Sequence, residues 1–144
     1  MIKNAPELMV DKTVRINASR EHVFKLLSDP KEMKRWEPIT SFEARIGGRY
    51  QFEKGEWVAV GEIIEFDPPR AIAYTWDWKN SPLGSRTVVR YELEADGNAT
   101  VVRLTHTGFI DAERAKMHGE GWAYYNDRLK IAAEGGDPGP DTME

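Results

Sequence analysis

Cysteine is missing from all 144 residues. Its absence excludes disulfides, thiolate nucleophiles and cysteine-held zinc, and it fits the reducing cytoplasm in which we expect the chain to reside. No run approaches the roughly eighteen apolar residues that a membrane helix needs, and Met1 to Asp11 lacks the apolar core of a signal peptide. A membrane span is therefore not expected. Positive charge is also short: 20 Lys and Arg against 24 Asp and Glu leave a net charge of −4. That balance offers no footing for nucleic acid. Missing too are a Walker loop, a dinucleotide fingerprint, a Gly-x-Ser-x-Gly elbow and a His-Glu-x-x-His pair, so no obligatory cofactor is expected.

What remains is ordinary for a globular chain, with 40% hydrophobic and 31% charged residues. The length predicts one domain, which we place at 11–134, after a loosely ordered lead-in at 1–10. Residues 135–144 are Gly, Pro and acid, the composition of a disordered tail. Asp111 to Ala133 is the most regular stretch. Ala115, His118, Trp122, Tyr125, Leu129 and Ala132 recur at steps of three and four, which brings them onto one face of a helix about 35 Å long.

The segments before it alternate as strands do. Lys12 to Ala18 sets Val14 and Ile16 against Thr13, Arg15 and Asn17. Ser19 caps a short helix, and Asp29-Pro30 caps a second that ends at Pro38, with Met33 and Trp36 as its buried candidates. Strands follow at Phe42–Ile46, Arg49–Glu53, Trp57–Phe66, Ala71–Trp78, Ser85–Glu94 and Thr100–Thr107, parted by Gly47-Gly48, Lys54-Gly55-Glu56, Asp67-Pro68-Pro69 and Asp96-Gly97-Asn98. Arg103 is predicted to pair with Glu92 or Glu94 on the outer surface. Consecutive hairpins make a meander with one apolar face, and only the last helix is long enough to cover it.

Several short motifs, taken in order, resemble one family. They are Asp29-Pro30 with Trp36, Gly47-Gly48-Arg49-Tyr50, Gly61 followed by Asp67-Pro68-Pro69-Arg70 and Tyr74-Thr75-Trp76, Thr100 through His106-Thr107-Gly108, and Gly121-Trp122 with Leu129. The family is that of the C-terminal domain of the activator of Hsp90 ATPase, within the START-like (polyketide cyclase/Bet v 1-like, SRPBCC) superfamily, and the likeness runs from about Val10 to Ala133. It implies an α+β helix-grip fold: a curved antiparallel sheet of six to seven strands wrapped around a long C-terminal helix, with a cavity between. Relatives include lipid carriers, hormone receptors, aromatase/cyclases and self-sacrificing resistance proteins, so the fold transfers more readily than a function. The eukaryotic co-chaperone carries an additional N-terminal domain for which these 144 residues leave no room, and Hsp90 contact is accordingly not expected.

The candidate ligand-binding residues are the inward aromatics Trp36, Tyr50, Phe52, Tyr74, Trp76, Tyr91, Trp122 and Tyr125, with His106 and His118. Together they suit a largely apolar pocket with a few polar handles. His106 shares a strand face with Val102 and Leu104, where an imidazole either meets a ligand or proton, or is a buried side chain satisfied by its neighbours. It is the catalytic candidate if there is a reaction. Glu43, Glu53, Glu62, Glu65 and Asp77 are carboxylates on strands, where most charge is solvated. His22, His106 and His118 are scattered, and His118 and Glu120 point to different sides of a helix, so no metal site is expected. Gly119 and Gly121 within the last helix either let it approach the sheet or leave room for a ligand.

The reading that fits best is a binding protein for a small hydrophobic or aromatic molecule. Its rivals are a cyclase, dehydratase or hydrolase using the same cleft, and a protein-interaction module related to Hsp90 co-chaperones. Self-association is not legible.

Overall fold

A computed structural model describes residues 6–143. After a 3-10 turn at Pro6–Leu8 come strand β1 (Val10–Ile16) and helices α1 (Arg20–Ser28) and α2 (Pro30–Met33). Strands β2 (Ile39–Phe42), β3 (Arg49–Lys54), β4 (Trp57–Asp67), β5 (Ala71–Trp78), β6 (Thr87–Asp96) and β7 (Ala99–Thr107) follow, and helix α3 (Ala112–Ala133) closes the series. The strands form one seven-stranded sheet in the order β1-β7-β6-β5-β4-β3-β2, antiparallel throughout. The helix-grip architecture expected from the sequence is thus present: α3 lies across the concave face, against β1, the 3-10 turn and α1.

Local chemistry explains the helices. Ser19 Oγ accepts the backbone N–H of His22, and Asp29 Oδ1 accepts that of Lys31, so each short helix begins on a side-chain cap. Asp111 caps α3 through the N–H of Arg114. The inner face of the sheet carries Ile63 from β4, Ile72, Tyr74 and Trp76 from β5, Val89, Tyr91 and Leu93 from β6, and Val102, Leu104 and His106 from β7, all buried. On α3, Ala115, Trp122, Tyr125, Leu129 and Ala132 meet them.

Several boundaries differ from expectation. The lead-in is ordered where it is described: Pro6–Leu8 forms its turn, and Val10, paired with His106, is buried. Residues 1–5 of that expectation lie outside the described residues. Strand β2 is Ile39–Phe42 rather than 42–46, because residues 43–48 turn, with Gly47 N–H bonded to the Ile63 carbonyl. Arg103 does not pair with Glu92 or Glu94. The β1–β7 register brings Asp11 beside it, and Arg103 donates from Nε at 3.0 Å and from a terminal nitrogen at 2.8 Å. Glu92 is bound instead by Arg90, which also holds Glu65.

The segment after α3, expected to be disordered, follows a defined path, with Glu144 outside the described residues. Arg128 donates to the carbonyls of Pro138 and Pro140, and the Asp141 carboxylate accepts from the Tyr125 hydroxyl. Met143 packs against the core. Specific polar partners on α3 and an apolar anchor outweigh what the composition predicts.

Gly119 is buried beside Val10, and a Cβ there would sit 3.7 Å from that side chain, so it serves close approach of α3 to β1. Gly121 faces open space and has no such role.

Candidate functional site

The concave face brings every predicted ligand-binding side chain into one network of rings. Trp76 is the hub, with ring centres 5.7 Å from Tyr50, 5.4 Å from Phe52, 5.8 Å from His106, 6.4 Å from His118 and 5.3 Å from Trp122. Tyr50 stacks on Tyr74 at 4.1 Å, and Phe52 meets Tyr125 edge-on at 5.5 Å. Trp122 meets Tyr91, which meets Trp36. None of them is more than 8% exposed. The space expected as a cleft is therefore occupied by the rings themselves. The described residues form open hollows elsewhere: about 560 Å³ on the outer face, lined by Val60, Glu62, Thr75, Asp77 and Arg86, and about 330 Å³ beside Phe24, Lys25 and Pro68.

Both inner histidines are committed to protein partners. The Trp122 indole N–H donates to His106 Nδ1 at 3.0 Å. An indole can only donate, so the His106 proton sits on Nε2 and goes to Thr87 Oγ1 at 2.9 Å, while the Thr87 hydroxyl donates to the Trp76 carbonyl. His118 is arranged alike: Trp78 Nε1 donates to its Nε2 at 2.9 Å, and its Nδ1–H goes to the Arg114 carbonyl at 2.8 Å. Burial, with the nearby His118, holds His106 well below the ordinary imidazole range. Burial also lowers His118, against the bond to Arg114. Both are neutral side chains within the wall, and neither ring nitrogen of His106 is free to accept a proton from another group.

The carboxylates named from the strands lie on the surface or in local turns. Glu65 is held by Arg90, and Asp77 accepts the N–H groups of Trp78 and Leu83. Among the described residues the buried carboxyl is Glu37, just after α2, which the sequence reading did not single out. Tyr50 donates its hydroxyl to Glu37 Oε1 at 2.7 Å. Burial pushes the Glu37 pKa up to about 8 despite that bond, so the group is largely protonated at neutral pH. Flanked by Trp36 and Pro38 in a region without a repeat, Glu37 carried no periodic signal. Thr87 and Asn126 did: Thr87 shares parity with Val89 and Tyr91, and Asn126 lies four residues beyond Trp122 and accepts the Tyr91 hydroxyl at 3.2 Å.

One donor on the inner face is unanswered. The Trp76 indole N–H is buried and has no partner among the described residues. Most buried polar groups are paired, which makes this N–H a point where an acceptor from outside the chain would be favoured. Among the described residues no group of acidic and histidine side chains is gathered as a metal would require.

Residues 17–134 match the family described as activator of Hsp90 ATPase homolog 1-like protein. No curated protein matches. Among solved structures, CalU16 from Micromonospora echinospora is 22% identical with a TM-score of 0.75, over 92% of this chain and 82% of that one. DynU16, a protein of the dynemicin biosynthetic locus, is 18% identical with a TM-score of 0.79, over 90% of this chain and 48% of that one. The Aha1 dimer from Colwellia psychrerythraea is 22% identical with a TM-score of 0.75, over 89% and 97%. Since the match spans most of the chain and the sheet order, short helices and docked α3 agree with it, this chain belongs to the activator of Hsp90 ATPase homolog 1-like family of the START-like superfamily.

Proposed function

We propose that the chain is a cytoplasmic binding protein for a small hydrophobic or aromatic molecule, which enters between the concave sheet and α3 by parting the rings that fill that space. The observation that carries this reading is the buried, unpartnered indole N–H of Trp76 at the centre of the ring network. A ligand acceptor would satisfy that donor, and ring faces from Tyr50, Phe52 and Trp122 would supply apolar contact. The place of DynU16 in a biosynthetic locus supports small organic molecules as the class. His106 and His118 shape the wall rather than touch the ligand, because their nitrogens are already paired. Entry is along the seam between β3 and α3, where Phe52 and Tyr125 meet edge to face.

The test is an NMR titration with planar aromatic compounds, read at the indole N–H signals. Binding at the proposed place shifts the Trp76 indole N–H and the Phe52 and Tyr125 rings. No change at Trp76 across a panel of aromatic and fatty compounds would overturn the reading.

A further inference from the structure

The segment that follows α3 lies over the same seam and places a carboxylate there. Asp141 accepts from the Tyr125 hydroxyl at 2.7 Å and the Tyr124 hydroxyl at 3.2 Å, both on α3. From the other wall, Lys54 at the end of β3 stands 3.3 Å from the same carboxylate and donates to the Asp141 carbonyl at 3.1 Å. Arg128 ties the segment down through the carbonyls of Pro138 and Pro140, and its Nε donates to the Trp36 carbonyl. A cation and phenolic donors from two separate elements thus converge on one half-buried carboxylate, bonded to the hydroxyl of the same Tyr125 whose ring meets Phe52.

We infer that Lys54, Tyr124 and Tyr125 form a carboxylate-binding site at the mouth of the aromatic interior, filled by the chain's own Asp141, and that the ligand is an aromatic or apolar acid which displaces it. This rests on the binding reading above and adds to it the charge of the ligand. Donors aimed at an anion keep that preference when the anion is exchanged, since charge-assisted hydrogen bonds to a carboxylate are stronger than those to a neutral acceptor. The electrostatics of the seam agree. Burial raises Asp141, but the bonds from Tyr125, the Met143 N–H and Lys54 more than offset it and hold the group below its ordinary value. Glu37, the other carboxyl sensed by Tyr125, stays largely protonated and so offers little charge to repel an incoming acid. The tail then acts as a competitor carried in the same chain.

The experiment titrates the full chain and an Asp141→Ala variant with 2-naphthoate and with its methyl ester, by calorimetry and by chemical shifts at Lys54, Tyr124 and Tyr125. Asp141→Ala binds 2-naphthoate about tenfold more tightly than the parent chain, and prefers it over the ester by a similar factor. Adding Lys54→Met removes that preference. Two results overturn the inference alone: equal gains for acid and ester, or no gain for the acid while the ester binds. Binding of neither compound by either protein overturns it together with the reading on which it rests.

Discussion

Trp122 aims its indole N–H at Nδ1 of His106 from 3.0 Å, and this single donor decides which nitrogen of a buried imidazole carries the proton. The same arrangement recurs between Trp78 and His118, and the two imidazole rings stand edge to face at 5.3 Å. An imidazolium at either position would turn an N–H toward an indole N–H.

Acid therefore weakens the fold. Both histidines have lowered pKa values in the folded chain, so the unfolded chain binds protons that the folded one refuses. Their contribution to stability is complete above about pH 6.5 and is lost as pH falls below it, by up to about 1.4 kcal/mol per histidine per pH unit. Urea unfolding at pH 7.5 and at pH 5.5 reads the difference. A variant with His106→Gln and His118→Gln flattens this part of the profile.

Replacing the donor has its own signature. Trp122→Phe keeps an aromatic ring against Trp76 and Tyr91 but leaves His106 Nδ1 without its partner. The expected loss is about 1–3 kcal/mol, the cost of a buried group left unpaired together with some packing. The imidazole nitrogen shifts of His106 would then report a mixed tautomer, which nitrogen NMR detects directly.

Glu37 works in the opposite sense. The unfolded chain ionises this group above about pH 4.5, while the folded chain holds its proton up to about 8. Its stabilising share is whole below the first value and declines as pH rises toward the second. Glu37→Gln, which retains an acceptor for Tyr50, should therefore stabilise the fold by on the order of 2–3 kcal/mol at pH 7 and hardly at all near pH 4. Chemical denaturation at the two pH values checks it, and an equal effect at both would show that Glu37 is not held protonated.

Gly61 tolerates no side chain. A Cβ there would lie 1.8 Å from the Thr75 carbonyl oxygen, an atom of the neighbouring strand backbone that cannot move aside alone. Next to it the Thr75 hydroxyl takes up the N–H of Glu62. Gly61→Ala should cost more than about 3 kcal/mol, beyond the ordinary range for a single exchange, and thermal melting would show it.

The contrast between Tyr74 and Glu37 explains what could be read from sequence. Strict alternation put Tyr74, Trp76, Tyr91 and His106 on the inner face, because one buried face of a sheet imposes a period of two. Helical spacing did the same for His118, Trp122 and Tyr125. Neither period can show whether facing rings touch: the contact of Trp76 with Trp122 depends on how far the sheet bends, which is a property of the whole surface. Glu37 and Asp141 escaped for a different reason. Each lies in a segment without regular structure, and each is placed by partners distant in sequence, Tyr50 and Lys54 among them. The pairing of Arg103 with Asp11 was hidden likewise, since it depends on which strand occupies the far side of β7.

The neighbour relation of β1 and β7 also bears on how quickly the chain assembles. Strands β2 to β7 can zip together one hairpin after another as they become available, but β1 must wait for the last strand, and Asp11 finds Arg103 only across most of the polypeptide. Closing so large a loop is entropically costly before any contact repays it. On a ribosome, the first strand to emerge would be the last to find its place.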